Sequence, residues 1–247
     1  MTFVTNDKFY KNNQKNQNKK KNDIFLIKSY VVRGRCIGQK KKEYILKYWK
    51  IYGIDFNKST ILDYSSFFSN DQPYVIDVGF GDGKLLVEKA MNYPHINFIG
   101  VEVYPKSIFT AIQYANIFQV SNIRIIFHDI VEVLFYMIPN RTISMIQIFF
   151  PDPWFKNKHH KRRLINDFFI TLIEKKIVFN GFVHIVTDCL LYSTKIFSLM
   201  SNNSNFKFLS ENNIIFPFFS MYLQTKFEKR ARLLNNSIFD YKYKLQS

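Results

Sequence analysis

The chain has 247 residues, of which 47% are hydrophobic, and its 35 Lys and Arg against 19 Asp and Glu give a formal net charge of +16. This hydrophobic fraction excludes a wholly disordered chain, and the longest apolar run, residues 143–150, is far shorter than the ~20 residues of a membrane-spanning helix. The two cysteines, Cys36 and Cys189, cannot build a disulfide framework, which favours a reducing compartment. With no secretory signal expected, we predict a cytoplasmic protein without membrane contact. The net charge favours a polyanionic partner such as nucleic acid.

The N-terminal stretch is predicted to be an arm outside the folded part. Residues 6–22 are rich in Lys and Asn and almost without apolar side chains, so they cannot bury enough surface to offset the entropy of ordering. Solvated filler and a tether for nucleic acid are both open interpretations. A helix around residues 41–48 should pack on the folded part, and no linker follows Pro73. We therefore predict a largely disordered basic arm over residues 1–30 and a single domain over residues 31–247.

From Pro73 onward, short apolar runs alternate five times with helical patterns. The strand-like runs lie at 74–77, 97–102, 123–127, 143–150 and 181–187, and the helical patterns at 84–91, 105–118, 130–137, 161–176 and 192–200. Fully apolar strands of this length suit a parallel sheet covered on both faces, and the alternation predicts a doubly wound α/β fold. At the C terminus, the runs 218–225 and 238–244 show no helix between them, which predicts an antiparallel hairpin that closes the sheet.

Three of the chain's 8 glycines, Gly79, Gly81 and Gly83, follow the first of these strands within five residues. Glycine turns between a strand and a helix let the backbone approach a ligand, and the helix N-terminus favours negative groups. A plain tight turn needs one glycine, so a ligand site is favoured here. The dinucleotide fingerprint fails because its last glycine position is Lys84. The D-x-G-x-G-x-G spacing that starts at Asp77 resembles instead the first motif of class I S-adenosylmethionine-dependent methyltransferases.

Two more acidic residues end the next two predicted strands. Glu102 is placed to accept hydrogen bonds from ribose hydroxyls. Asp129 stands where the methyltransferases usually recognise the adenine amino group. Because the carboxyl ends of parallel strands line one crevice, Asp77, Glu102 and Asp129 are expected to share a ligand site. The resemblance implies that the ligand is S-adenosyl-L-methionine.

The fourth strand leads into Pro151-Asp152-Pro153-Trp154, followed by Lys156, His159 and the run Lys161-Arg162-Arg163. This segment resembles the signature of the tRNA (guanine-N7-)-methyltransferase family, which is PDPW followed by a Lys and an H-x-KRR run. Similar motifs recur in the family's order as R-G-R at 33–35, HDIVEVL at 128–134, VTD at 186–188 and TKFE-x-R at 225–230. The chain departs from the family just downstream. The family's stretch R-G-x-R-L-G-H reads here Arg230-Ala231-Arg232-Leu233-Leu234-Asn235-Asn236, so two glycines, an arginine and a histidine are replaced. The resemblance therefore implies no RNA or base contacts for these replaced residues.

The resemblance implies transfer of a methyl group from S-adenosyl-L-methionine to N7 of the variable-loop guanine, position 46, of tRNA. Guanine N7 carries a free lone pair, so the transfer needs positioning rather than a base, and the methylated ring becomes cationic. Asp152 is implied as the catalytic residue and as part of the cofactor site with Asp77, Gly79, Gly81, Gly83, Glu102 and Asp129. The implied substrate contacts are Lys156, Asp188, Thr225, Lys226, Phe227 and Glu228, and the implied RNA contacts are Lys158, His159, His160, Lys161, Arg162 and Arg163.

Other interpretations of these motifs stay open from the sequence alone. His159 and His160 lack a Cys or Glu at ligand spacing, so we predict no metal site. Trp154 could stack on a base or pack within the protein. A methyltransferase for another RNA, and a non-catalytic RNA-binding protein on a methyltransferase fold, are the alternative functions. A monomer and a homodimer fit the sequence equally well.

Overall fold

The computed structural model describes residues 27–31, 37–209 and 225–247 of the chain. Three predicted features lie outside the described residues: the arm up to residue 26, the R-G-R motif at 33–35, and residues 218–224 of the first C-terminal strand-like run. The strands are β1 (Gly53–Ile54), β2 (Tyr74–Val78), β3 (Asn97–Glu102), β4 (Ile123–Phe127), β5 (Ile143–Phe149), β6 (Ile177–Thr187), β7 (Phe206–Phe208) and β8 (Phe239–Leu245). The helices are α1 (Gln39–Tyr52), α2 (Lys84–Asn92), α3 (Pro105–Ile117), α4 (Ile130–Tyr136), α5 (Asp167–Lys176), α6 (Leu190–Ser201) and α7 (Lys226–Leu233).

The eight strands form one sheet in the order β1-β4-β3-β2-β5-β6-β8-β7. The strands from β1 to β6 pair in parallel, whereas β8 runs antiparallel between β6 and β7. The predicted doubly wound, mostly parallel sheet with antiparallel C-terminal strands is therefore confirmed. The bounds of β3 and β4 equal the predicted runs 97–102 and 123–127.

The central strands are apolar because helices cover both faces of the sheet. Side chains of α1, α2 and α3 pack with Val75, Phe98 and Ile125 on one face. Side chains of α4, α5 and α6 pack with Ile76, Ile99 and their neighbours on the other. Within the part of the chain that the structure describes, no helix is long and apolar enough to cross a membrane.

The direction of winding reverses at β2, which lies between β3 and β5. From β2 the chain proceeds to β3 and β4 on one side, and then crosses to β5 and β6 on the other. A crevice opens outside the carboxyl ends of the strands at such a switch point, and ligands of open α/β sheets bind there. The glycine turn follows β2, and the P-D-P-W segment follows its neighbour β5.

Two predicted elements differ from the structure. The helix expected over 161–176 begins only at Asp167, because the Asn166 side chain accepts a hydrogen bond from the Phe169 N–H at 3.0 Å and caps it there. Residues Asn157–Arg162 form a separate 3₁₀ turn. The expectation of no helix before the last strand is wrong, because α7 precedes β8 and Thr225 caps it by accepting from the Glu228 N–H at 3.0 Å. This T-x-x-E pattern is a helix-start signal. The antiparallel partners of β8 are β6 and the three-residue strand β7.

Candidate active site

The glycine turn leaves open space at the end of β2. Gly79, Gly81 and Gly83 have φ values of +67°, +63° and +74°, a left-handed backbone that side chains rarely adopt. No atom of the described residues lies within 4 Å of the place where a Cβ would sit on Gly79 or Gly81. At Gly83, by contrast, a Cβ would be 2.3 Å from the Cβ of Ala111 on α3. Two of the glycines thus leave room for a ligand, and the third permits close packing of α2 against α3.

Glu102, at the end of β3, organises the turn. Its carboxylate accepts hydrogen bonds from the N–H groups of Gly81 (3.2 Å), Val103 (2.6 Å) and Tyr104 (3.2 Å). The side chain is buried, and desolvation raises its pKa to about 7 despite these three donors. The carboxylate therefore lies directly beside the open space of Gly81, where it can accept hydrogen bonds from ligand hydroxyls.

Asp129 follows β4 and is also buried. One carboxylate oxygen caps α4 by accepting from the Val131 N–H at 2.8 Å. The other lies 3.5 Å from Lys28 Nζ, which also forms an ion pair with Glu132. Residues 27–31 therefore run along the carboxyl edge of the sheet. Asp129 is held between its own helix and this segment.

The segment that carries Asp152 is fixed by its neighbours on both sides. Phe150 and Trp154 have φ values of +51° and +46°, a strained backbone that concentrates at functional sites. The Phe150 N–H donates to the Val186 carbonyl at 2.7 Å. Arg163 Nε donates to the Pro153 carbonyl at 2.8 Å. Asp152 itself is exposed, and Pro151 and Pro153 fix the backbone on either side of it.

The predicted substrate residues of TKFE approach both the glycine turn and the segment that carries Asp152. Lys226 forms an ion pair with Asp82 of the glycine turn, and the exposed ring of Phe227 stacks at 6.0 Å on that of Phe150. Glu228 is buried and accepts from Arg232 at 2.7 Å, which braces α7.

Asp188 lies just beyond the end of β6 and is half-buried. The hydrogen bond from Phe150 to Val186 ties the end of β6 to the segment that carries Asp152. The structure thereby places Asp188 two residues from that tie, at the same carboxyl edge as Asp152.

The predicted RNA-contacting residues divide into an exposed and a packed group. Lys158 and Lys161 are exposed, as is the predicted substrate contact Lys156. His159, His160 and Arg162 are half-buried, and Arg162 and His159 lie against the Trp154 ring at 5.1 and 5.7 Å.

Arg163 is buried, with its guanidinium 4.8 Å from the centroid of the Tyr192 ring. Its hydrogen bond to Pro153 therefore gives it a positioning function inside the protein. The Trp154 Nε1–H donates to the Ser29 carbonyl at 2.9 Å. Of the two roles open for Trp154, stacking on a base and packing within the protein, the structure shows packing contacts.

The sequence analysis does not predict the positions of two cations at this edge, Lys89 and Lys28. Lys89 is fully buried on α2, and only its i, i+3 spacing from Leu86 could have indicated a place on the buried face. Lys28 falls within the predicted disordered arm, and no sequence signal indicates its pairing with Asp129.

The order of the parallel strands, the glycine turn at the switch point and the acidic residues at successive strand ends define a class I methyltransferase. The fold agrees, since the 16S rRNA methyltransferase KamB superposes with a TM-score of 0.52 at 9% identity over 76% of this chain and 95% of that chain. A family model described as "Putative methyltransferase" matches residues 71–241. Enzymes of this class use S-adenosylmethionine in general, and the open glycine turn beside a buried carboxylate fits such a cofactor.

Sequence comparison then identifies the family. Over 227 residues the chain is 44% identical to the tRNA (guanine-N(7)-)-methyltransferase of Buchnera aphidicola subsp. Schizaphis graminum, covering 91% of this chain and 95% of the relative. Over 222 residues it is 35% identical to the enzyme of the same name from Vibrio parahaemolyticus, covering 90% and 92%. The chain belongs to the tRNA (guanine-N(7)-)-methyltransferase family, as its motifs predict, and is a transferase.

Proposed function

We propose that this enzyme transfers the methyl group of S-adenosyl-L-methionine to N7 of the variable-loop guanine, position 46, of tRNA. The observation that carries the proposal is the exposed Asp152 on a segment held rigid at the carboxyl edge, beside the glycine turn. The cofactor supplies an electrophilic methyl group bonded to a sulfonium sulfur. The lone pair of guanine N7 forms the new N–C bond as the C–S bond breaks, so no residue has to remove a proton from N7.

The enzyme's residues bind and orient the two partners. Gly79 and Gly81 would leave room for the cofactor, Glu102 would accept hydrogen bonds from its ribose hydroxyls, and Asp129 would bind its adenine. Asp77, near the end of β2, is the third acidic residue of the proposed cofactor site. Orientation of reacting groups is worth several powers of ten in rate (effective molarities of ~10⁵ M or more).

Asp152 acts on the guanine. Its carboxylate accepts from the N1–H and the 2-amino group, which fixes N7, and it stabilises the positive charge that develops on the ring. Asp188 and the TKFE residues Thr225, Lys226 and Phe227 hold the base from the other side, and the buried Glu228 braces them through α7. The packing of Phe227 on Phe150 supports this arrangement.

The tRNA backbone binds across the exposed cations of the 3₁₀ turn, Lys158 and Lys161, together with Lys156. Contacts to phosphates position the RNA without reading its sequence and make affinity fall with salt. The half-buried His159, His160 and Arg162 border this surface, while Arg163 acts from within. We place the enzyme in the cytoplasm with its tRNA, as a domain over residues 31–247 that follows a basic arm.

The test uses unmodified tRNA transcript and S-adenosylmethionine labelled in the methyl group. Label is mapped by chemical cleavage at N7-methylguanine, and the matched control is a transcript with adenine at position 46. We expect label on the first transcript and none on the second. Label that persists with adenine would indicate another position. Binding of tRNA and cofactor without any label would favour a non-catalytic RNA-binding protein.

A further inference from the structure

Lys89 is a fully buried lysine beneath the glycine turn. It lies on α2, and its side chain is 0% exposed. Its Nζ lies 3.7 Å from Asp77 Oδ2, donates to Gln147 Oε1 at 2.6 Å, and sits 4.6 Å from the centroid of the Phe149 ring. A buried ammonium needs such partners, because removal of a charge from water costs several kcal/mol.

The partners of Lys89 belong to the two segments that the reaction must bring together. Asp77 lies on β2 and leads into the glycine turn. Gln147 and Phe149 lie on the adjacent β5 and lead into Asp152. Asp77 and Gln147 are register neighbours in the sheet, and the Lys89 ammonium connects their side chains. No other lysine of the described residues is buried at this edge.

The Phe149 ring is held on its other side as well. It meets the His184 ring edge-on at 4.9 Å, and His184 Nε2 is 2.7 Å from Asp240 Oδ1 on β8. Phe149 is therefore fixed between Lys89 and a residue of β6. Since Phe150 follows with a strained backbone, the position of Phe149 determines where the chain turns toward Asp152.

We propose that Lys89 is a positioning residue for methyl transfer, which holds the end of the cofactor strand and the base of the catalytic segment at a fixed separation. The inference rests on the proposed function. Lys89 touches neither substrate nor reacting atoms, and acts through Asp77 on the cofactor side and through Gln147 and Phe149 on the side of Asp152. Since a shift of about 1 Å between the reacting groups costs about 100-fold in rate, a link of this kind affects turnover directly.

The competing explanation is that Lys89 contributes only to folding stability. The chain offers a matched control, Lys176, which is also buried and donates to the Ile138 carbonyl at 2.7 Å and to Asn140 Oδ1 at 2.9 Å. Lys176 ends α5, and its partners precede β5, so it lies at the amino edge of the sheet, away from the proposed site. Lys89→Met and Lys176→Met each replace a buried ammonium by an apolar chain of similar length.

The experiment measures kcat and KM of both variants with tRNA transcript, cofactor Kd by calorimetry, and the thermal midpoint. We expect both midpoints to fall. Turnover per folded molecule should drop tenfold or more in Lys89→Met, with a several-fold weaker cofactor Kd, and stay within twofold of wild type in Lys176→Met. Equal kcat in Lys89→Met and wild type would overturn the proposal, as would equal losses of kcat in the two variants.

Gln147→Leu tests the positioning role of Lys89 if Lys89→Met does not fold. This change removes the Lys89–Gln147 hydrogen bond and leaves the contacts of Lys89 with Phe149 and Asp77. Hence kcat should fall while cofactor Kd is retained, and an unchanged kcat would overturn the proposal. In the double variant Lys89→Met with Gln147→Leu, kcat should be no lower than in Lys89→Met, because both changes remove the same hydrogen bond between Lys89 and Gln147. Absence of label with the wild-type enzyme would instead refute the proposed function itself, so the two failures are distinct.

Discussion

Glu102→Gln should flatten the pH dependence of the free energy of unfolding of the cofactor-free protein. The Glu102 side chain is 5% exposed, and desolvation raises its pKa from 4.5 to about 7 even though three backbone N–H groups donate to it. In the unfolded chain the carboxyl group returns to its ordinary pKa near 4.5. Between these two values the folded state therefore keeps a proton that the unfolded state has released.

Because the folded pKa is the higher one, the stabilisation from this group is present at acid pH and is lost as the pH rises through 7. Integration from pH 5 to 8.5 gives a loss of about 2.5 kcal/mol in the wild type. For a chain of this size that is roughly 5–10 °C in the thermal midpoint. The glutamine side chain has no proton to lose, so this loss disappears. Its amide N–H also faces one of the three backbone N–H groups, so two donors meet without an acceptor. This lowers the free energy of unfolding by about 1–3 kcal/mol at every pH.

The assay is urea denaturation of both proteins between pH 5 and 8.5 without cofactor. Other titrating groups are shared and cancel in the difference between the two curves. The variant should be the less stable protein at pH 5 and should approach the wild type at pH 8.5. Parallel curves would refute a raised pKa for Glu102. In calorimetry, cofactor affinity should rise through pH 7 in the wild type only, because the ionised carboxylate is the better acceptor for ribose hydroxyls.

Three further changes separate catalysis from RNA binding and from loop positioning. Asp152→Asn should lower kcat about 100-fold or more, far beyond its effect on cofactor Kd, because the variant loses the charge that stabilises the methylated ring; label incorporation and calorimetry measure the two quantities. Lys158→Ala with Lys161→Ala should weaken tRNA binding and reduce the slope of log affinity against log salt by about 1 to 2, as seen in filter binding across a salt series. Arg163→Met should leave that slope unchanged yet lower kcat about tenfold and the thermal midpoint by several degrees, because Arg163 bonds to the Pro153 carbonyl; a loss confined to tRNA affinity would contradict its positioning role.

The sheet and the edge that carries the site follow from local sequence. Runs such as 97–102 and 123–127 are apolar throughout and bounded by polar residues, so both the type and the bounds of β3 and β4 were predictable. Parallel strands bring their carboxyl ends to one edge, which places Glu102 and Asp129 without any tertiary information.

The features that were not predictable depend on contacts distant in sequence. A lysine within a helical pattern is expected at the surface, and only the docking of α2 on β2 and β5 buries Lys89 between Asp77 and Gln147. The start of α5 depends on the Asn166 cap, which a helix pattern starting at Lys161 does not reveal. The T-x-x-E signal of α7 is present in the sequence, but the same residues carry the TKFE resemblance, which predicts a substrate segment.

The departures from the family after TKFE change the surface more than the backbone. Asn235 stands where the family has glycine and adopts φ +55°, a left-handed position after a helix that asparagine tolerates best after glycine. Ala231 is buried within α7, where alanine favours the helix more than glycine does. The replacement that removes a charged side chain is at Leu233, which stands where the family pattern has arginine and is 84% exposed.

Leu233→Arg should therefore strengthen tRNA binding. One added phosphate contact increases the slope of log affinity against log salt by about 1 and tightens Kd several-fold at low salt, with no change in cofactor Kd. Leu234→Arg is the matched control, because Leu234 is 61% exposed on the next residue and matches a leucine in the family pattern. Equal gains in both variants would mean that any added charge suffices. A gain confined to Leu233→Arg would mean that α7 faces the tRNA backbone through this position.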